Sequence, residues 1–346
     1  MHINKNCNMV KVGIIGYGYW GPNIARIISE SSDLELVYCA DLLDESLKDV
    51  KLKYKNVKTT KNYQDILNDK QVDAVFVVTP TRTHFKIVKD CLLSKKHIFV
   101  EKPLAYSVKE CKELISIAKE KKLKLMVGHV FLFNSSAIYI RNILQKKGLG
   151  KVRHLHFQRR SLGPIRKDIN VLWDLAPHDL SMLLYFIDEK PVSLVATGAC
   201  YLQKGIEDVV NVSIKFKNNV IANLILSWID PIKIRDITIV GSKKMILFDD
   251  VQISEKVKIF DKNANVIKDT RAVTFGEFQI ALHSGDVYIP GIINKEPLKE
   301  EIRHFIYCIK EDKNPITDGK NGLEVVKLLE AAQKSLRSNS RVIKIN

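Results

Sequence analysis

Lys102, Asp174 and His178 have the types and the spacing to work on an alcohol. Lys102 stands in Glu101-Lys102-Pro103, where its ammonium can steady negative charge developing on an alkoxide or carbonyl oxygen. The flanking Glu and Pro make a rigid corner, an odd place for a merely solvated lysine in a chain that has many. Asp174 and His178 are four apart in Trp173-Asp174-Leu-Ala-Pro177-His178-Asp179, a spacing that puts both on one helix face. The carboxylate can orient the imidazole or help to carry its proton. With the helix starting around Pro177, its N-terminus favours a neutral, base-competent ring. Positioned acid–base catalysis of this sort is worth about 10²–10⁴-fold. On spacing alone, a helix cap with an incidental histidine explains the same residues at least as well.

A cofactor site is legible in residues 10–21, an apolar run that breaks into G-x-G-x-x-G at Gly16, Gly18 and Gly21. Gly16 permits the tight turn out of a strand, and Gly18 lets backbone approach a pyrophosphate. Gly21 lets the next helix lie close to the sheet with its N–H groups aimed at the anion. Tyr19 and Trp20 fill the loop between them. A second apolar strand ends at Asp41, about 20 residues on, where a carboxylate accepts hydrogen bonds from the adenosine ribose and repels a 2′-phosphate. Leu42-Leu43-Asp44-Glu45 bring no arginine for that phosphate, so NAD is expected over NADP. Asp41 capping the next helix is compatible with this reading. Thr79, Pro80 and His84 follow a later strand, and Glu101 and Lys102 end the next one. Ligands of an open α/β sheet bind beyond such strand ends, so these five join the cofactor set, His84 alternatively just opening a helix.

The elements that position these residues fall into two patterns. Strand-like runs at 10–15, 34–40, 73–78, 97–100 and 123–127 alternate with helical runs at 22–29, 82–94 and 107–121. That alternation predicts an α/β domain with a doubly wound parallel sheet over 1–128. From 129 to 346 the chain predicts an α+β domain with a large, mostly antiparallel, open-faced sheet. Its extended runs are 151–162, 191–203, 208–217, 219–229 and 232–249, with helices at 177–187, 297–310 and 322–336 and a connecting segment at 130–147. A sheet that wide leaves a face to cover, which favours self-association.

Composition narrows the function classes. The 346 residues suit two domains, and no apolar stretch is long enough to span a membrane. The first residues lack the apolar core of a signal peptide, and six scattered cysteines without C-x-x-C suggest small buried hydrophobes in a reducing, cytoplasmic setting. No metal site is expected. The net charge of +16 reflects dispersed lysines in a Lys/Asn/Ile-rich chain better than a nucleic-acid surface. Arg159, Arg160, Arg166 and Lys167 precede the catalytic candidates and suit either a diphosphate or a solvated loop.

These motifs, in this order, resemble the Gfo/Idh/MocA oxidoreductase family over essentially the whole chain. The resemblance extends to Gly148-Leu-Gly-Lys-Val and to the terminal Gly322-Leu-Glu-Val-Val. It implies a Rossmann domain, NAD(P), a sugar or polyol substrate, and dimers or tetramers built through the open sheet. It also implies that Lys102, Asp174 and His178 form the catalytic group and that Lys102–Pro103 is cis. Two departures bear on the substrate. Ala176 and Ser181 replace a glycine and an acid common in the second motif, and Leu132 stands where relatives often carry arginine. Asn134, just after it, joins the substrate candidates. Within the family, Gly-Tyr-Trp-Gly suggests a nucleotide sugar, oxidised at C3 ahead of an amination for surface-polysaccharide or lipid A synthesis. An NAD-dependent glycosidase and a non-catalytic sugar sensor are the alternatives.

Overall fold

The computed structural model describes residues 9–266 and 280–345. The leader reading on residues 1–8, with Cys7, lies outside them. The chain forms two units, 1–133 with 295–327 and 134–294 with 328–346.

In the first unit, β1 (Val10–Ile15), β2 (Leu34–Ala40), β3 (Lys58–Thr60), β4 (Ala74–Val77), β5 (His97–Glu101) and β6 (Leu125–Gly128) form a sheet ordered β3-β2-β1-β4-β5-β6. All its pairings are parallel. The crossovers contain α1 (Gly21–Ser29), α2 (Asp44–Lys53), α3 (Gln64–Asn68), α4 (Thr81–Leu93) and α5 (Val108–Glu120). Strands as apolar as Ala74-Val-Phe-Val are covered on both faces, which is why they read as unbroken hydrophobic runs. The order reverses beside β1, and this switch point opens a crevice at the carboxyl ends of β1 and β4.

The domain limits differ from the sequence expectation, because 295–327 joins the first unit. Phe305 in a later helix, Pro297–Lys310, packs edge-on against Phe76 and Phe99, with ring centroids 5.6 and 5.9 Å away. Val127 also donates its N–H to the Thr317 carbonyl. An apolar helix face that fits this sheet belongs to this core, however far away it lies in sequence.

The second unit opens with α6 (Ser135–Gln145), β7 (Val152–Leu162) and α7 (Val171–Phe186). The strands β8 (Pro191–Ala199), β9 (Val209–Phe216), β10 (Ile221–Ser227), β11 (Ile229–Gly241), β12 (Met245–Asp249), β13 (Val257–Val266) and β14 (Ile280–Tyr288) follow. The helix Pro297–Lys310 is α8, and α9 (Gly319–Arg337) and β15 (Ile343–Lys344) end the chain. The second sheet is ordered β14-β13-β12-β11-β7-β10-β9-β8-β15, antiparallel except for β7 beside β10. Side chains of β9 alternate between buried and outward, and α7 packs on β9 and β10.

Several elements depart from the sequence reading. The connecting segment holds α6, capped by Asn134, and 232–249 divides into β11 and β12 at a turn. The helix read from Pro177 begins at Val171, because the Asn170 side chain accepts the Trp173 N–H at 3.2 Å and caps it. Pro177 lies in its interior. Among the described cysteines, Cys39, Cys91, Cys111 and Cys308 are buried, whereas Cys200 is exposed, against expectation. No helix among the described residues is long and apolar enough to cross a membrane.

Candidate active site

In the first unit the glycine loop is shaped by contacts that exclude side chains. Gly16 has φ +96, and a Cβ there would lie 2.6 Å from the Val78 carbonyl oxygen. At Gly18 a Cβ would meet nothing within 4 Å, so this backbone faces open room. Gly21 opens α1 within 2.8 Å of the Gly16 carbonyl by the same measure. A cavity of about 580 Å³, a size ordinary for cofactor sites, is lined by Gly16, Gly18, Asp41, Thr79 and Pro80. The Asp41 carboxylate accepts the N–H of Tyr17 at 2.6 Å and of Leu43 at 2.9 Å. It therefore ties the glycine loop to the turn after β2, and the capping alternative becomes a local turn. The cradle fits a dinucleotide: bare backbone at Gly18, a helix start at Gly21, and a carboxylate at the cavity wall.

Three cations missed by the sequence reading, Lys61, Arg82 and Lys86, also line this cavity. Neighbours of Asp41 in sequence gave no sign of them, because β3 and α4 bring them in from elsewhere. Lys61 is committed to Asp44 at 2.8 Å. Tyr19 is 95% exposed, so its ring can reach a ligand only from the outside of the loop.

His84 requires a correction. It is expected at the cofactor, but it is 1% exposed, with Nδ1 2.8 Å from the Pro103 carbonyl oxygen and Nε2 2.8 Å from that of Thr79. Burial lowers its pKa against the pull of both carbonyls, and the Lys102 charge lowers it further. The ring thus joins the loops after β4 and β5 rather than lining the cavity. Lys102–Pro103 is cis.

Glu101 closes β5 opposite Gly128 of β6, and a Cβ on Gly128 would sit 3.2 Å from its carboxylate. The Trp20 indole and the Lys102 N–H both donate to that carboxylate. Desolvation raises the Glu101 carboxyl to about 7, against the Lys102 charge and these two donors. Water reaching the partly open residue tempers this shift.

In the second unit, Asp174 and His178 share one face of α7, both half-buried. The Trp228 indole donates to Asp174 Oδ2 at 3.2 Å, and Arg166 approaches Oδ1 at 3.5 Å. Both carboxylate oxygens are thereby fixed in direction. His178 lies about two turns into the helix, not beside its first N–H groups as expected.

The substrate candidates are redistributed. Arg159 is 5% exposed, and its Nε and Nη2 are held by Asp179 at 2.8–3.1 Å, so it braces α7 and has no fork left for a diphosphate. Arg160 pairs with Asp230 at 2.9 Å, and Arg166 with Asp168 at 2.7 Å, both partly exposed. Asn134 is 9% exposed, and its oxygen accepts the Ser136 N–H at 2.8 Å as the cap of α6. Among the described residues, no group of three or more His, Cys, Asp or Glu is placed to hold a metal ion.

Comparison with known proteins meets both units. Residues 10–129 match a family described as an oxidoreductase family with an NAD-binding Rossmann fold, and 138–247 match the GFO/IDH/MocA C-terminal domain. Myo-inositol 2-dehydrogenase of Thermotoga maritima is 25% identical over 96% of this chain and 98% of its own. UDP-N-acetylglucosamine 3-dehydrogenase of Acidithiobacillus ferrooxidans is 27% identical over 74% of this chain and 76% of its own. The fold is also that of GenD2 from gentamicin A biosynthesis, solved with NAD, at TM-score 0.81 and 18% identity over 98% of this chain and 97% of that one.

Proposed function

This chain belongs to the Gfo/Idh/MocA family of oxidoreductases with an NAD-binding Rossmann domain, and from that premise we propose that it oxidises a secondary alcohol of a sugar with NAD. The observation that carries the reading is Lys102 at the carboxyl end of β5, in the sheet whose strand ends wall the dinucleotide cavity. The glycine loop and Asp41 hold the cofactor, which when bound supplies the hydride acceptor.

The chain's own residues manage the proton and the charge. His178 takes the hydroxyl proton as general base, and Asp174 orients the imidazole with its carboxylate fixed by Trp228 and Arg166. Lys102 stabilises the negative charge that grows on the oxygen as its proton leaves.

The finer reading is a nucleoside-diphosphate sugar oxidised at C3. It is supported by the UDP-N-acetylglucosamine relative and by the partly exposed Arg160, whereas Arg159 and Arg166 both give the Nε and Nη2 of their forks to carboxylates, Asp179 and Asp168. Assembly as a homodimer or homotetramer through the outward face of the second sheet belongs to the same proposal, with light scattering as its test.

The deciding experiment is a reduction screen with NAD and NADP against free, UDP-linked and dTDP-linked sugars. Reduction of NAD by one sugar class is expected. Sugar turnover without net NADH would turn the reading to a redox-neutral glycosidase, and ligand binding without turnover would turn it to a sensor.

A further inference from the structure

Behind the Lys102 corner lies an acid that the proposed reaction does not use. Glu301 on α8 is 0% exposed, and neither of its carboxyl oxygens has a hydrogen-bond partner in the protein. A buried polar group without a partner costs free energy, so its retention calls for a reason.

The packing of α8 on β5 shows where this acid stands. Phe305 lies over Phe99, with ring centroids 5.9 Å apart. Glu301 is one helical turn before Phe305, and Glu101 is two residues after Phe99 on the same face of the strand. The helix runs against the strands, because Lys310 at its end pairs with Asp33 just before β2, and each step covers about 6 Å, so Glu301 is carried over Glu101. The Glu101 carboxylate rests against Gly128, and His129 next to it is also 0% exposed with both ring nitrogens lacking a protein partner.

Charges on this cluster come from three elements. Glu101 faces the Lys102 ammonium and the Trp20 indole, His129 faces Lys102, and Glu301 faces Glu101. An enclosed carboxylate beside a second, partly open one that already faces Lys102 does not ionise at low cost. Burial and then the Glu101 charge raise the Glu301 carboxyl well above its usual range, and burial lowers the His129 imidazole to about 3. At neutral pH the imidazole carries no charge, and Glu301 is the member that keeps its proton.

We propose that Glu301 is a positioning residue for the Lys102 corner: as a neutral carboxylic acid it donates through a buried water to the Glu101 carboxylate and holds it as the partner of Lys102. Orphaned polar atoms in a polar pocket are where buried waters settle, each making about three hydrogen bonds. The donated hydrogen bond favours the charged form of Glu101, so Lys102 keeps a counter-charge at working pH. The structural claim concerns protonation alone, and its kinetic consequence rests on the dehydrogenase reading given above.

The test has a spectroscopic arm and a kinetic arm. Infrared spectra of the wild-type protein at about pH 8 are expected to show the C=O stretch of a buried protonated carboxyl that Glu301→Gln removes. No such band, or a band that survives Glu301→Gln, overturns the proposal whether or not any sugar reduces NAD. With a productive sugar, Glu301→Gln keeps a neutral donor and is expected to hold kcat within about 3-fold with the same acid limb. Glu301→Leu removes the donor and moves that limb up by about one pH unit, a roughly 10-fold loss near neutrality that recovers at high pH. Equal damage from both variants, or a loss in Glu301→Leu that does not depend on pH, contradicts the role. If Glu301→Leu fails to fold, the glutamine variant and the infrared band still decide. If no sugar is oxidised, the dehydrogenase reading fails and the infrared arm stands alone.

Discussion

The Lys102 corner and the α7 face both bury polar side chains, but they settle them differently. On α7 and around it, the carboxylates and the capping amide meet partners: Asp179 takes the Arg159 fork, Asp174 is held by Trp228 and Arg166, and Asn170 donates to Glu207 and Gln333. Around Lys102 the acids are undersupplied, Glu301 enclosed and Glu101 partly open. Glu101 has two donors and Glu301 has none from the protein, and both are pushed toward their neutral forms. Matched pairs fix the direction of a side chain, whereas undersupplied acids leave a charge free to respond to pH. A carboxylate that must point one way, such as Asp174, needs the first arrangement, and an adjustable charge beside a cofactor site needs the second.

The sharpest way to break this contrast is to remove the chemistry from each region in turn. Lys102→Met and His178→Ala are each expected to lower kcat by about 10²–10⁴-fold while NAD affinity measured by fluorescence titration stays within a few-fold. If the two residues act as a unit, the double variant loses far less than the product of the single losses.

Next in size is the buried pair of the second unit. Arg159→Met leaves Asp179 enclosed without its partner and is expected to cost about 3–5 kcal/mol in denaturant unfolding. The partly exposed Arg160–Asp230 pair should cost about 0–1 kcal/mol when Arg160→Met breaks it. If Arg159→Met kept its stability and raised only KM, Arg159 would return to the substrate set.

Gly18→Val probes the first unit without touching its core, because the space around a Cβ there is open. Unchanged thermal unfolding with NAD binding weakened by about 1–3 kcal/mol is expected, the cost of forcing a side chain into a close contact. Equal NAD affinity in the variant would move the cofactor away from this loop.

The last effect is in stability against pH. The Glu101 carboxyl is raised from 4.5 to about 7, so across that window the folded chain holds a proton that the unfolded chain has released. Folding stability therefore falls as pH rises from about 4.5 to about 7 and levels off beyond. Glu101→Gln should be more stable than wild type near pH 8, with the gap closing toward pH 4, as read by thermal melts.

The sequence made the first unit largely legible because each parallel strand is an unbroken apolar run ended by a motif at its carboxyl edge. It was less legible where partners lie far apart in the chain. Nothing near Lys102 in sequence points to Glu301, which comes from a helix 200 residues later, or to Arg82 at the wall beside Asp41. Arg159 and Arg160 look alike as a pair of cations, yet strand alternation turns one inward to Asp179 and the other outward to Asp230. Asn134 and His84 look like ligand contacts in the sequence, and both are instead bound to backbone, as a cap and as a bridge between loops. Periodicity tells which face is buried, but only the fold tells what is waiting there.

The central claim is that Lys102 and His178 serve NAD-dependent oxidation of a sugar alcohol. Its most direct measure is NADH formed per molecule of sugar consumed, in wild type and in His178→Ala. One NADH per sugar, with the rate of the variant reduced at least about 100-fold, is the predicted result. Sugar consumed without NADH, or an unimpaired His178→Ala, would contradict it.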